Sequence, residues 1–381
     1  MEQSVNIAGK KIVILFGNLE MGGAERQGLL VARYLQEQCA ASVEVWGLGA
    51  GSGPVAAQCD AWGIPWRSVR LHWGLRRRVP HLLRLLYLLR RTAPDLLLSY
   101  TRVPNLAAAL LWRLAGCRSM VWNQADAGLL LPSTWLHRLA IARARFFIAN
   151  AEGGRQYLLN TFGLAPQAVR LIRNGIQLDL PVTDRPTWRE RLGCAEDTCI
   201  AVMVANLSSY KDHATLLEAW RLVLDRWSGP LPLLALAGRF DDRAEALQRQ
   251  AIQLGVAEQV RFMGDVTDIS GLLVASDLCV HSSPSEGIPN AVVEAMAAGL
   301  PVTGSDIPGM REAVGDEGVV LLAPPGDAAA LAAILQNLMA DPAQCRQQGA
   351  LMRRRAAELF GRERMCHETV SYVVGCLEQQ S

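Results

Sequence analysis

The sequence lacks the features of several classes of protein. Its nine cysteines include no CxxC pair and no His/Cys cluster at ligand spacing, which argues against zinc and favours reduced thiols in a cytosolic protein. Its apolar runs, such as LAAALLW at 106–112, stop well short of the roughly 18 residues that a membrane span needs. No charged segment followed by an apolar one opens the chain, so we expect no secretory signal.

Acidic residues are missing from a long stretch of the first half. None lies between Asp60 and Asp95, while residues 66–91 (WRSVRLHWGLRRRVPHLLRLLYLLRR) hold eight arginines. A basic amphipathic segment with aromatic side chains is typical of a membrane-surface helix, and cytoplasmic leaflets are anionic. The alternative interpretation of the leucine-rich part, HLLRLLYLLRR, is that its leucines pack on the sheet of the first domain. The candidate contacts with a membrane or an anionic acceptor are Trp73, Arg76, Arg77 and Arg78.

The length and the charge distribution indicate two domains. The chain has 381 residues, enough for two domains of ordinary size. Residues 1–175 hold 21 Lys and Arg against 9 Asp and Glu, whereas residues 176–381 hold 17 against 27. Such a split suggests that the two halves face different partners. We predict domains at 1–175 and 176–360, joined by the turn-rich segment 174–186.

Short buried-type runs alternate with helical patterns in both halves. This alternation predicts parallel sheets with helices on both faces, arranged as two doubly wound α/β domains with a cleft between them. Ligands of such sheets bind beyond the carboxyl ends of the strands, so we expect function in the strand-to-helix loops. The predicted strands are 10–16, 42–48, 95–100, 119–124, 145–151, 169–175, 199–207, 231–239, 259–265, 278–283, 300–305 and 318–324.

The first such loop, FGNLEMGGAER at 16–26, leads into a predicted helix. Gly22 and Gly23 would let the backbone approach a ligand, and a helix N-terminus offers N–H groups to an anion. The loop lacks the GK[ST] of a P-loop and the GxGxxG of a dinucleotide site. The segment GLGAGSG at 47–53 comes nearer to the dinucleotide pattern, but it lacks the acidic residue that should follow about 20 positions later. A tight turn is the alternative for the two glycines.

The segment ANLSSYKDHATLLEAW at 205–220 places Lys211 just before a helix whose natural N-cap is Asp212. A lysine at a helix N-terminus opposes the helix dipole, so it does not serve helix stability. A phosphate bound there would resolve the conflict, whereas a solvated loop lysine is the plain alternative.

The segment SPSEGIPNAVVEAMAAGLP at 283–301 holds two glutamates, Glu286 and Glu294, among small and apolar residues. On one continuous helix they would stand about 12 Å apart, too far to share a proton or a metal. Pro289 suits the first helical position, where its missing N–H costs nothing. The glutamates suit two hydroxyl-rich ends of one ligand, with helix N–H groups between them for phosphate, which is the layout of a sugar nucleotide.

Residues 283–314 resemble the signature of the retaining GT-B glycosyltransferases of family 4, whose motif is Glu, seven residues, Glu. The resemblance continues in MGGAERQ, RNGIQ, ANLSSYKDH, LALAGR and VRFMGDVTD, and covers nearly the whole chain. It implies a GT-B fold: an acceptor-binding first domain facing a nucleotide-sugar-binding second domain across a cleft. It also implies that a C-terminal helix, residues 361–381, crosses back to the first domain.

The resemblance implies retaining, metal-independent transfer of a hexose-type sugar from a nucleotide-diphosphate sugar, with no other cofactor. Glu294 would hold the ribose, Glu286 the donor sugar, and Lys211 the phosphates. The acceptor would be a glycan, a lipid-linked molecule or a small molecule, most simply in surface polysaccharide or glycolipid synthesis. The donor-binding candidates are Gly22, Gly23, Asn206, Lys211, Arg239, Glu286, Gly287, Ile288, Pro289, Asn290 and Glu294.

The sequence departs from the family pattern in two places. Asn206 stands in the region where many members carry an arginine, so Arg239 is a candidate for a second phosphate contact. In place of a histidine after the fifth strand the chain reads WNQADAG at 122–128, where Gln124 or Asp126 could orient the acceptor hydroxyl or merely form an Asx-type turn. The catalytic candidates are Glu286, Lys211, Asp126 and Gln124.

Two other functions stay open. A nucleotide-sugar epimerase or hydrolase could use the same fold without an acceptor, and a degenerate member could act as a membrane-associated binding protein. No recognition motif supports a nucleic-acid partner. We expect a cytoplasmic protein, either free or peripheral on the inner face of the membrane. The donor base, the sugar, the acceptor and the oligomeric state are not predicted.

Overall fold

The computed structural model describes residues 7–71, 78–125, 128, 134–176 and 178–379. The chain divides into two units, each built on one sheet. Unit 1 comprises the chain up to Gly175 together with Arg362 onward, and unit 2 comprises Ile176–Gly361. No helix within the described ranges is long and apolar enough to cross a membrane.

Unit 1 is built on a seven-stranded sheet. Its strands are β1 (Lys11–Phe16), β2 (Ser42–Gly47), β3 (Trp66–Ser68), β4 (Leu96–Tyr100), β5 (Ser119–Gln124), β6 (Phe146–Ala149) and β7 (Val169–Leu171). They pair in parallel in the order β3-β2-β1-β4-β5-β6-β7. Its helices are α1 (Gly23–Cys39), α2 (Pro54–Ala61), α3 (Arg78–Thr92), α4 (Arg102–Leu111), α5 (Trp135–Arg143), α6 (Glu152–Phe162) and, from the C-terminal segment, α15 (Arg362–Glu378).

The apolar sequence of β1, KIVILF, explains why both faces of this sheet carry helices. Successive side chains of a strand point to opposite faces. Ile12 and Ile14 accordingly join a core that includes side chains of α1 and α15. Val13 and Leu15 join the core on the other face, which includes side chains of α3 and α4.

Unit 2 is built on a six-stranded parallel sheet. Its strands are β8 (Ile200–Val204), β9 (Leu233–Ala237), β10 (Val260–Gly264), β11 (Leu278–His281), β12 (Val302–Ser305) and β13 (Leu322–Ala323). Their order is β10-β9-β8-β11-β12-β13. Its helices are α7 (Arg185–Leu192), α8 (His213–Arg226), α9 (Ala244–Gln253), α10 (Ile269–Ala275), α11 (Asn290–Ala298), α12 (Pro308–Val319), α13 (Ala328–Ala340) and α14 (Pro342–Leu359).

The α/β doubly wound fold predicted from the sequence is confirmed, and so is the return of the last helix to unit 1, where α15 packs with α1. Each predicted strand occurs, most of them shorter than predicted. The short strand β3 was not predicted, because its three residues are only partly buried or exposed. The strand predicted at 318–324 was too long, since α12 extends to Val319 and β13 holds two residues.

The strand order of each sheet reverses at one point, between β1 and β4 in unit 1 and between β8 and β11 in unit 2. The two loops that leave the carboxyl ends of such a strand pair diverge and open a crevice, where sheets of this kind bind ligands. In unit 2 these are the loop after β8, which carries Lys211, and the loop after β11, which carries Glu286.

Candidate donor site in unit 2

The loop after β8 is held rigidly at the start of α8. Asp212 has the left-handed conformation (φ 51°, ψ 43°), and its carboxylate accepts hydrogen bonds from the backbone N–H and the hydroxyl of Thr215. Asp212 is therefore the N-cap, as predicted from the sequence. The hydroxyl of Ser282 donates to the carbonyl oxygen of Lys211 at 3.2 Å, which ties this loop to the end of β11.

The loop after β11 brings Glu286 directly onto Lys211. The Oε1 atom of Glu286 accepts a hydrogen bond from the Lys211 ammonium and another from the Ser283 hydroxyl, the latter at 3.0 Å. The side chains of Lys211 and Glu286 are only 16% and 19% exposed. Two opposite charges that the sequence places 75 positions apart thus form a largely buried ion pair at the crevice of unit 2.

The surroundings of Glu286 keep its carboxylate ionised. Burial by itself would raise its pKa, but the neighbouring His281 ring and the Lys211 ammonium outweigh burial and lower the pKa of Glu286 to about 2. The Nε2 atom of His281 lies 3.4 Å from the same Oε1 atom. The site therefore presents one fixed anion and one fixed cation at neutral pH.

Close backbone packing fixes the loop between Glu286 and α11. A Cβ atom built on Gly309, at the start of α12, would lie 1.7 Å from the carbonyl oxygen of Gly287, so no larger residue fits there without displacing the loop. Ile288 is buried and anchors the same loop. Pro289 was predicted to be the first residue of α11, but it is the N-cap, so the helix begins one residue later than predicted, at Asn290.

Glu294 lies on α11, one turn after its first residue, Asn290, and is 6% exposed. Residues 286–289 lie outside the helix. The 12 Å separation expected on one continuous helix therefore does not apply to the pair Glu286 and Glu294. Both glutamates nonetheless belong to the same loop-and-helix segment at the carboxyl end of β11.

Asn206 and Arg239 lie together at the ends of β8 and β9. The backbone N–H of Arg239 donates to Asn206 Oδ1 at 3.2 Å. The guanidinium of Arg239 pairs with Asp241 at 2.8 Å, and its side chain is 64% exposed. The Asn206 side chain thus binds the backbone of Arg239, while the Arg239 guanidinium forms an ion pair that is exposed to solvent.

Gly22, Gly23 and Gln124 of unit 1 follow or end strands on the carboxyl side of its sheet. Gly22 is the N-cap of α1, and Gly23 is its first residue. A Cβ atom on Gly22 would come within 2.6 Å of the Glu25 carboxylate, so the glycine makes room for that side chain. Gln124 ends β5, is 4% exposed, and accepts a hydrogen bond from the Trp122 indole at 3.1 Å.

Several candidates cannot be placed in the structure. Asp126, Trp73, Arg76 and Arg77 lie outside the described residues. Arg78 is the first residue of α3.

A cavity of about 550 Å³ opens at the opposite edge of the unit 2 sheet. Its lining includes Cys199, Asp277 and Pro301, which directly precede or lie next to the amino ends of β8, β11 and β12. Ligands of open α/β sheets bind at the other edge. We therefore assign the candidate site to the carboxyl edge.

Sequence reasoning missed three side chains of this site, namely Ser283, His281 and His213. His281 lay inside a stretch interpreted as a buried strand and His213 inside a predicted helix, while Ser283 opened the segment of the two glutamates without being singled out. A signal was present, because a histidine within the apolar run LCVH needs a polar partner when it is buried.

The two doubly wound parallel sheets, each with loops at its carboxyl edge of the kind that bind ligands, define a GT-B glycosyltransferase fold. The chain matches the crystal structure of Anabaena HepE in complex with UDP and glucose with a TM-score of 0.83, over 96% of this chain and 100% of that chain. It matches the structure of WaaG, a glycosyltransferase involved in lipopolysaccharide biosynthesis, with a TM-score of 0.73 over 96% of this chain. At sequence identities of 22% and 18%, these two matches show similarity of fold alone.

The family follows from two sequence matches that together span most of the chain. Residues 21–180 match the model of Glycosyltransferase Family 4, and residues 184–355 match that of the glycosyl transferases group 1. The chain belongs to the family 4 type of GT-B glycosyltransferases, which confirms the resemblance described above.

Two curated relatives share the family. D-inositol 3-phosphate glycosyltransferase of Streptomyces avermitilis is 29% identical over 231 residues, or 58% of this chain and 50% of that protein. Alpha-maltose-1-phosphate synthase of Mycolicibacterium smegmatis is 29% identical over 256 residues, or 62% of this chain and 65% of that protein. The chain thus spans about half to two thirds of the length of these relatives.

Proposed function

We propose that this protein transfers a sugar from a nucleoside-diphosphate sugar to an acceptor hydroxyl, with unit 2 holding the donor. The observation that carries the proposal is the Lys211–Glu286 pair at the point where the strand order of unit 2 reverses. An ammonium beside a helix N-terminus suits a diphosphate, and a fixed carboxylate suits sugar hydroxyls. A fold neighbour, Anabaena HepE, has been crystallised in complex with UDP-glucose, which supports this class of donor.

In this mechanism the protein acts mainly on the leaving group. Lys211 and the N-terminus of α11 stabilise the charge that develops on the nucleoside diphosphate as its bond to the sugar breaks, without a metal. Glu286 accepts hydrogen bonds from the donor sugar and Glu294 from the ribose. The donor candidates at positions 287–290 supply the backbone around the phosphates.

We further propose that the reaction retains the configuration at the anomeric carbon. The acceptor oxygen would attack from the face that the diphosphate leaves, so the new bond replaces the old one on the same side. The acceptor proton would pass to the departing phosphate oxygen, which requires no carboxylate nucleophile in unit 1. Nuclear magnetic resonance of the product of an α-linked donor tests this point, and a β-linked product would contradict it.

A thermal-shift screen with UDP, GDP, ADP and dTDP sugars tests the donor class. We expect stabilisation by one base and turnover only when an acceptor is added. Consumption of the donor without an acceptor would favour an epimerase or a hydrolase. Stabilisation with no turnover across a panel of donors and acceptors would favour a degenerate binding protein.

The acceptor hydroxyl is proposed to be oriented by Gln124 or Asp126 after β5. Gln124→Ala and Asp126→Ala should lower turnover at saturating donor while leaving donor binding unchanged, because neither lies in unit 2. Normal turnover by both variants would end this proposal.

The outer face of α3 favours a peripheral contact with an anionic membrane. Leu85 and Leu89 of this helix are buried in the core of unit 1, as the packing alternative predicts. Val79, Leu83 and Tyr87, spaced four apart, are instead 61%, 59% and 61% exposed, beside the exposed arginines 84, 90 and 91. Apolar side chains flanked by arginines are typical of helices that bind lipid headgroups.

Co-sedimentation with anionic vesicles tests the membrane contact. We expect binding at low salt that weakens at high salt, because exposed charges are screened. Leu83→Glu should reduce binding, whereas Ile252→Glu, which alters an equally exposed apolar residue of unit 2, should not. Equal loss in both variants, or no binding at low salt, would refute the contact.

A further inference from the structure

Two buried histidines beside the candidate site have no role in the proposed reaction. His281 ends β11 and is 2% exposed, and His213 begins α8 and is 1% exposed. The Nε2 atom of His281 and both ring nitrogens of His213 make no hydrogen bond of good geometry, although Nε2 of His281 interacts with Glu286 at 3.4 Å and His213 with the backbone of Ala205. Buried polar atoms are normally satisfied, so unsatisfied ones next to a charged site call for a functional explanation.

The geometry singles out His281. Its Nε2 atom lies 3.4 Å from Glu286 Oε1, the oxygen that already accepts hydrogen bonds from Lys211 and Ser283. The backbone of His281 is paired with that of Gly304 in β12. A Cβ atom added to Gly304 would lie 2.0 Å from the His281 carbonyl oxygen. The backbone of β11 is therefore packed tightly against β12 at this position, and the ring nitrogen stands within a small movement of a hydrogen bond to the carboxylate.

The charged groups around His281 act on its pKa in opposite directions, Glu286 raising it and Lys211 lowering it. Glu286 and Lys211 are the charged side chains that act on it, and His213 of α8 lies within electrostatic reach. Glu294 is the carboxylate of the neighbouring helix α11. The paired strands β8 and β12, IAVMV and VTGS, contain no titratable side chain. The balance at His281 therefore depends on where the Lys211 ammonium sits.

We propose that His281 takes up a proton when the donor diphosphate engages Lys211, and that it then replaces Lys211 as the hydrogen-bond donor to Glu286. The proposal rests on the proposed function. The diphosphate draws the ammonium away from Glu286 and brings negative charge of its own. The proton comes from solvent, and the resulting imidazolium keeps the buried carboxylate ionised and oriented toward the donor sugar.

The electrostatics of the unliganded site agree with this sequence of events. Burial lowers the pKa of His281, Glu286 opposes that effect, and Lys211 adds to it. The net effect lowers the pKa of His281, which favours the neutral ring while Lys211 stays in place. Withdrawal of a cation and arrival of an anion both raise the pKa of a histidine. His281 is thus a positioning residue that acts through Glu286.

Calorimetric titration of the protein with UDP-glucose, in buffers of different ionisation enthalpy, tests the proposal. A diphosphate esterified at both ends lacks the secondary ionisation that a terminal phosphate shows near pH 6, so the ligand itself contributes no proton. We expect uptake of up to about one proton per site near neutral pH, and a Kd that weakens by up to about tenfold per pH unit as pH rises past the pKa of His281 in the complex.

Two variants separate the histidines. His281→Gln keeps a hydrogen-bonding nitrogen near the Nε2 position but cannot be protonated, so it should bind without proton uptake and with a Kd independent of pH. His213→Gln should retain the uptake. Binding by the unchanged protein without proton uptake would overturn the proposal, as would uptake that persists in His281→Gln.

Failure of the proposed function gives a different result. If no nucleotide sugar of the donor screen binds, the donor site is wrong and this inference is wrong with it. If His281→Gln does not fold, the ring nitrogen chemical shifts of His281 in the unchanged protein show whether the ring is protonated in the complex. A ring that stays neutral there overturns the proposal.

Discussion

Lys211 and Arg239 are the two cations that the sequence offers for a donor phosphate, and the structure ranks them. Lys211 is 16% exposed and already holds a carboxylate at the crevice of unit 2, whereas Arg239 is 64% exposed and pairs with Asp241. Lys211→Gln should therefore weaken the binding of a nucleoside diphosphate far more than Arg239→Ala.

The size of the difference follows from the burial of the two side chains. A hydrogen bond to a charged group contributes about 1.5–3 kcal/mol, which corresponds to roughly 10- to 150-fold in Kd. We expect the upper part of this range for Lys211→Gln, because Glu286 then faces the diphosphate without its counter-ion. An exposed, screened ion pair contributes about 0–1 kcal/mol, so Arg239→Ala should change Kd by less than about fivefold.

Calorimetric titration with UDP at low and high salt provides the measurement, with thermal unfolding of each variant as the control for folding. The loss in Lys211→Gln should persist at high salt, because a largely buried contact is poorly screened. An equal or greater loss in Arg239→Ala would refute the placement of the diphosphate beside Lys211.

Three further predictions test the site and its support. Glu294→Ala should weaken donor binding, whereas Glu286→Ala should lower turnover more, and the reverse pattern in steady-state kinetics would exchange the two roles. Gly309→Ala should lower the melting temperature and donor affinity together, because its Cβ would lie 1.7 Å from the Gly287 carbonyl oxygen; an unchanged melting temperature would contradict that packing. The pKa of Glu286, about 2 in the folded protein against 4.5 ordinarily, should give stability that is present above pH 4.5 and lost as pH falls toward 2. Urea unfolding should therefore show a loss of about 2 kcal/mol between pH 6 and pH 3 that Glu286→Gln lacks.

The fold was largely predictable because it depends on local patterns. Buried strands such as β1, apolar from Ile12 onward, and IAVMV have nearly continuous apolar runs, which occurs when helices cover both faces of a parallel sheet. The N-cap role of Asp212 was readable from a single residue, because an aspartate side chain can accept the free N–H groups of the first helical turn. The short strand β3 was not, because its residues carry no strong apolar pattern.

The sequence by itself indicated Lys211, Glu286 and Glu294 as candidate site residues and the class of ligand they suit. Lys211 indicated a phosphate, because a lysine at a helix N-terminus opposes the helix dipole. Glu286 and Glu294 indicated a hydroxyl-rich ligand, because they are charged residues in a segment of otherwise small and apolar ones. Only the tertiary structure decided that Lys211 and Glu286 form an ion pair and that His281 stands beside it. Those contacts arise because β8 and β11 are neighbours in the sheet although the last residue of β8, Val204, and the first of β11, Leu278, are 74 positions apart. No local pattern along a chain encodes strand order.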